Sequence, residues 1–123
     1  GNLKTLTKGL TDADPVIRYW SVVGLLLLEK RAQPALSGLK KALLDSDEIP
    51  SLAAWAIFKA GEEDFAKQWM LREITQNPGN KMLANVLDWM DKDSFPILSK
   101  IPQDKLLQRG LLKDVVTRYR ARI

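Results

Sequence analysis

The chain has 123 residues, 46% of them hydrophobic and 28% charged, with a formal net charge of +4 and neither cysteine nor histidine. That length and balance fit one folded domain with a real core rather than a disordered segment. The two missing residue types exclude thiol nucleophiles, disulfides, zinc sites built on Cys or His, and every mechanism that uses imidazole as its base.

The positive charge is concentrated at the end of the chain. From Lys105 onward the basic residues Lys105, Arg109, Lys113, Arg118, Arg120 and Arg122 are opposed by Asp114 alone, while the remainder is close to neutral. An electrostatic partner would therefore look to the tail. No signal or transit peptide is visible at the start. The longest apolar run, Tyr19 to Leu28, is interrupted by Ser21 and Gly24 and is too short to span a bilayer. Gly1 ahead of Asn2 reads as a cleavage scar, which implies a domain excised from a larger protein.

In chain order, Leu3, Leu6 and Leu10 recur at helical spacing and predict a short first helix. Thr11 to Asp14 is a polar turn. Asp14 can accept from a free amide of the next helix's first turn, and Pro15 suits its first position. From Pro15 to about Arg31, Val16, Trp20, Val23 and Leu27 fall on one face and Tyr19, Val22 and Leu26 on an adjacent one. A helix apolar on two sides predicts two covering neighbours. Gln33-Pro34 is expected to open a third helix, with Ala35, Leu36, Leu39, Ala42 and Leu43 inward. After the turn at Asp45-Ser-Asp-Glu, a fourth carries Ile49, Leu52, Ala53, Ala56, Ile57 and Ala60. Gly61 stops it as a left-handed terminus.

These segments repeat. Asp12 matches Asp45, Asp14 matches Asp47, Val16 matches Ile49 and Tyr19 matches Leu52, each 33 residues on. A period in the thirties with helix–turn–helix content is the sign of an α-solenoid. Glu62 to Gln76, with Phe65, Trp69 and Ile74 inside, and Lys81 to Met90, joined by Asn77-Pro-Gly-Asn, give a third copy. Beyond it, Ser94 to Lys100 and Pro102 to Gln108 are short, and Gly110 to Ile123 forms a last helix with basic residues outward. The expectation is an all-α, right-handed α–α superhelix in one domain. Its repeats are 1–31, 32–61 and 62–92, with a C-terminal helical cap over 93–123.

Asp14-Pro15-Val16-Ile17-Arg18 resembles the Asp-Pro-x-Val-Arg turn of HEAT repeats. The resemblance implies that Asp and Arg tie neighbouring repeats together, so Asp12, Asp14, Arg18, Asp45 and Asp47 would form the repeat joint. In the second copy Ser51 stands where that Arg would be, and packing through Ala53, Ala54 and Ala56 would replace the link. More narrowly, Asp14 to Trp20 with Gly24-Leu25, and Leu83-Ala-Asn-Val-Leu-Asp-Trp89, look like the HEAT-like C-terminal region of bacterial arylsulfatase-type sulfatases. In that family a Cys/Ser-x-Pro-x-Arg motif upstream, converted to formylglycine beside calcium, does the chemistry. Ser94-Phe95-Pro96-Ile97 lacks the Arg, since Leu98 follows, so no catalytic, metal or cofactor residue is carried over.

Three groups compete as sites. The carboxylates Asp12, Asp14, Asp45, Asp47 and Glu48 lack the glycine and distal Glu of a calcium loop and read as helix caps. Trp20, Trp69 and Trp89 read as core, while Trp55 and Tyr19 are the candidate exposed aromatics. Arg118-Tyr119-Arg120-Ala121-Arg122 is a candidate anion patch, or else a solvated helix end whose cations complement the dipole. The expected function is a non-catalytic scaffold or interaction module, the appendage of a sulfatase acting on sulfated carbohydrate. Its partner would be a neighbouring catalytic domain of the same chain or another protein, with sulfated polysaccharide a further possibility and a periplasmic or extracellular location implied. The alternative is a nucleic-acid or polyanion binder using the C-terminal arginines, of which nucleic acid is disfavoured by the low charge density.

Overall fold

A computed structural model describes residues 2–101, 115–118, 120 and 121, and these form helices and turns with no strand among them. The helices are α1 (Asn2–Gly9), α2 (Pro15–Leu28), α3 (Leu36–Ala42), α4 (Ile49–Ala60), α5 (Glu63–Gln76), α6 (Lys81–Met90) and α7 (Phe95–Leu98). Two 3-10 segments, Glu29–Ala35 and Asp91–Ser94, lead into α3 and α7. The chain divides into two compact units, Gly1–Ala66 and Lys67–Ile123.

The first unit is built on α4. Nine of its residues are buried, among them Ala53, Ala54, Ala56, Ile57 and Ala60 with no exposed surface at all. Such small side chains let neighbouring helices approach closely, and α2, α3 and the Glu29–Ala35 segment all pack on α4. The helix ends at Gly61, whose φ of 118° is one that an L-residue avoids, and whose amide donates to the carbonyls of Ile57 and Phe58. On the outside, Lys40 of α3 pairs with Glu62 at 2.7 Å and lies 4.6 Å from the Phe65 ring centre.

α2 packs on α1, α4 and the Glu29–Ala35 segment, but not around its whole circumference. Ser21, Val22, Leu25 and Leu26 are buried. Val16, Trp20 and Leu27, by contrast, are 59%, 61% and 73% exposed, with Ile17 exposed and Val23 half-buried. The expectation of more than one covering neighbour therefore holds, but the placement of the Val16–Trp20–Leu27 row in the interior is corrected: that row faces water. α2 also stops at Leu28, short of the expected Arg31, because Glu29 takes φ 53°, ψ −125° and redirects the chain into the 3-10 segment. Pro34 lies inside that segment, so α3 begins at Leu36 rather than at Gln33.

In the second unit, α6 occupies the expected Lys81–Met90. Asn80 caps it by accepting from the Leu83 amide at 2.9 Å and donates to Glu73 at 3.0 Å. Leu83, Ala84, Val86, Leu87 and Met90 are buried, but Trp89 is 54% exposed, so a second tryptophan read as core is on the surface. In α5 the buried row is Ala66, Met70 and Ile74 rather than Phe65 and Trp69, of which the first is exposed and the second half-buried. Ile74 is buried as the spacing suggested, while the other two inward positions are displaced by one residue. Asp91 repeats the Glu29 geometry, with φ 56°, ψ −124°, after the end of α6. Ile97, Leu98, Ile101, Val115 and Val116 are buried, and residues 115–118 are helical. Pro102 to Gln108 and most of the expected last helix lie outside the described residues.

The backbone at Glu29 and Gly61 is directly testable. Glu29 holds a conformation that costs an L-residue on the order of 1–3 kcal/mol, part of which glycine recovers against its larger unfolded-state entropy. Glu29→Gly is expected to raise stability by about 1 kcal/mol, and Gly61→Ala to lower it by at least as much. Chemical denaturation of the two variants checks both signs, and a destabilised Glu29→Gly would contradict the turn geometry.

Candidate functional site: the joint between the first two hairpins

The polar residues of the first unit converge where the N-terminus of α2 meets the turn before α4. Asp14, in an extended conformation, accepts from the Val16 amide at 2.9 Å, and Asp12 accepts from the Asp14 amide at 2.8 Å. This small turn presents the carbonyls of Asp12 and Ala13 to Arg18, one turn into the helix. Arg18 Nη1 donates to both, at 2.9 and 3.1 Å. The same guanidinium reaches across to Asp45, with Nε donating to Oδ2 at 2.8 Å and Nη2 to Oδ1 at 3.3 Å. Asp45 Oδ1 also accepts from the Ser46 amide at 2.7 Å. One planar fork thus holds two backbone carbonyls and a carboxylate 27 residues away.

The two charged side chains are largely withdrawn from water, 22% and 14% exposed. The Arg18 hydrogen bonds hold the Asp45 carboxyl below its ordinary range, against the opposing effect of burial, and the Ser46 amide adds to this. The Arg18 guanidinium is held above its ordinary range mainly by the same hydrogen bond to Asp45. Across the joint, then, Asp12, Asp14, Arg18 and Asp45 come together. Asp47 and Glu48 do not share their role. Asp47 sits at φ 59°, and α4 starts after Glu48 with no side-chain cap, which corrects the reading of these two carboxylates as caps. Ser51, buried on α4, is too short to span to another turn as Arg18 does.

Beside this joint lies an open cleft of about 200 Å³. Pro15, Val16, Tyr19 and Ile49 form its apolar and aromatic lining, and Asp47 and Glu48 supply its acidic edge. Tyr19 is half-buried and meets Trp20 edge-to-face with ring centres 5.1 Å apart. Trp55 is half-buried within α4 and does not line this cleft. A place next to Arg18 marks Tyr19 in the sequence, whereas Trp20, read there as core, is the more exposed of the two.

At the far end of the chain, Arg118 Nη2 lies 3.0 Å from Asp88 Oδ2, and Nε donates to Oδ1 at 3.3 Å. Arg120 is exposed, while Tyr119 and Arg122 lie outside the described residues. Among the described residues no group of three or more acidic side chains is arranged to hold a metal ion, and no helix is long and apolar enough to cross a membrane. Compared with family models, curated proteins and solved structures, the chain matches none.

The pH dependence of the joint follows from its geometry. The depressed Asp45 carboxyl stabilises the fold at and above the unfolded-state value of about 3.9. That contribution is lost as pH falls through the lower folded-state value. Asp45→Asn is therefore expected to melt earlier than wild type at pH 7, with the gap narrowing once the pH falls below the ordinary carboxylate value. Asp14→Ala, which removes the cap of α2, should cost about 1 kcal/mol. Melting curves for both variants across pH 2–7 provide the check. A gap for Asp45→Asn that stays constant down to pH 2 would remove the charge pair from the account.

Proposed function

We propose that the chain is a non-catalytic scaffold and interaction module. It is read as a right-handed α–α superhelix of about three HEAT-like hairpins with a C-terminal helical cap, appended to a sulfatase acting on sulfated carbohydrate. The observation that carries the reading is the Arg18 fork. It ties the start of one inner helix to the turn of the next hairpin, where the Asp-Pro-x-x-Arg resemblance implies a link between repeats. Support also comes from the inner helices α2, α4 and α6, each followed by a residue of positive φ, namely Glu29, Gly61 and Asp91. A recurrent break of this kind at near-equal intervals is what stacked hairpins of one design require.

On this reading the module works by its surfaces, packing on a catalytic domain that the same polypeptide supplies. Its aromatic and apolar side chains are contact groups, and the Arg18 joint keeps their spacing constant. The polyanion reading of the basic C-terminal helix has less behind it, because Arg118 is already engaged by Asp88.

The parent reading frame tests this proposal. Its upstream region is expected to encode a Cys/Ser-x-Pro-x-Arg motif, and sulfate release from a sulfated oligosaccharide by the full protein should persist in Arg118→Ala, which lies in the appendage. An upstream region without that motif would end the sulfatase assignment.

A further inference from the structure

The exposed row on α2 has a counterpart inside the molecule. Val16, Trp20, Val23 and Leu27 correspond, 33 residues on, to Ile49, Ala53, Ala56 and Ala60 of α4. All four of the later residues are buried, and three of them have no exposed surface. The same positions are therefore covered on one helix, while on the other Val16, Trp20 and Leu27 are open and Val23 is half-buried. α4 is covered by helices, α2 foremost among them. The α2 row, by its register, is shaped for a helix too.

The chemistry at one end of the row specifies the occupant further. Val16 belongs both to the row and to the cleft at the N-termini of α2 and α4. Asp14, Asp47 and Glu48 are exposed around that end and Asp12 half-exposed, while Arg18 at the start of α2 is committed to Asp45. Two helix N-termini contribute only about half a positive charge each, so four carboxylates dominate the local field. A row of large apolar side chains leading into an acidic cleft is complementary to one kind of polypeptide surface.

We propose that the outer face of α2 and the adjoining cleft form a docking surface for an amphipathic α-helix of a polypeptide partner. Its apolar stripe lies along Val16, Trp20, Val23 and Leu27, and its lysines or arginines enter the cleft beside Asp47 and Glu48. This rests on the reading of the chain as an interaction module and names the surface and the partner that reading leaves open. Trp20 is the anchor, since a large aromatic at the centre of an apolar patch contributes most to such contacts.

The test uses two synthetic 18-residue helices, one of leucine and lysine and one of leucine and glutamate, titrated into the ¹⁵N-labelled chain. The lysine peptide is expected to shift the Trp20 indole resonance and the α2 amides, and the glutamate peptide to bind at least tenfold more weakly. Trp20→Lys, at an exposed position, should keep the melting temperature and lose about tenfold or more in affinity. Should that variant melt early, Val16→Lys serves in its place. Asp47→Lys combined with Glu48→Lys should remove or reverse the preference between the peptides. Equal binding of both peptides, shifts confined to other helices, or no binding would overturn the proposal. So would a concentration-dependent dimer abolished by Trp20→Lys, since a second copy would then be the occupant. The titration and the reading frame fail separately: a flat titration removes this surface but not the sulfatase parent, and a frame without the motif does the reverse.

Discussion

Arg18 sets the geometry on which the first unit depends. Its guanidinium is held on one side by the carbonyls of Asp12 and Ala13 and on the other by Asp45, so it fixes α2 relative to the turn that launches α4. The bond is available because Asp14 and Pro15 start α2 at a defined residue, which places position 18 one turn further on and facing the turn. A lysine could supply the charge but not the fork, because three acceptors in different directions need a planar donor set. The contact between α2 and α4 is the most extensive between any two helices of the unit. The fork adds specificity, since apolar packing between helices tolerates shifts along the axis that five directional N–H donors do not.

Much of the helical pattern was legible in the residues. The Asp-Pro start of α2, the Gly61 stop and the span of α6 each rest on a local device, a cap, a ring or a missing Cβ, that acts within a few residues. The phase of burial was less accessible. Helical spacing finds a row of apolar residues but does not say which of two rows is covered, and in α2 and α5 the covered row is the neighbour of the more bulky one. Trp20, Phe65 and Trp89 are the result, outward-facing aromatics that hydrophobicity alone assigns to a core. The 3-10 segments left no signature, because Pro34 suits the first turn of an α-helix equally well.

The candidate site divides along the same line. That Asp12, Asp14, Arg18 and Asp45 belong to one place follows from repeat spacing and from the resemblance of the Asp-Pro-x-x-Arg turn. The identity of the partners does not. A carboxylate after a helix reads as a cap until its neighbour in space is known, and Asp45 spends its oxygens on Arg18 and Ser46. Asp47 and Glu48 are left to edge a cleft, a role that depends on Tyr19 and Val16 arriving from another helix and that no linear pattern encodes.

One row of positions occurs twice in the chain, buried along α4 and largely exposed along α2. Solvent paramagnetic relaxation with a neutral gadolinium chelate measures that contrast directly. Strong relaxation is predicted at the side chains of Val16, Trp20 and Leu27, and almost none at Ile49, Ala53, Ala56 and Ala60. Equal shielding of the two rows would contradict the account, as would relaxation of the α4 alanines.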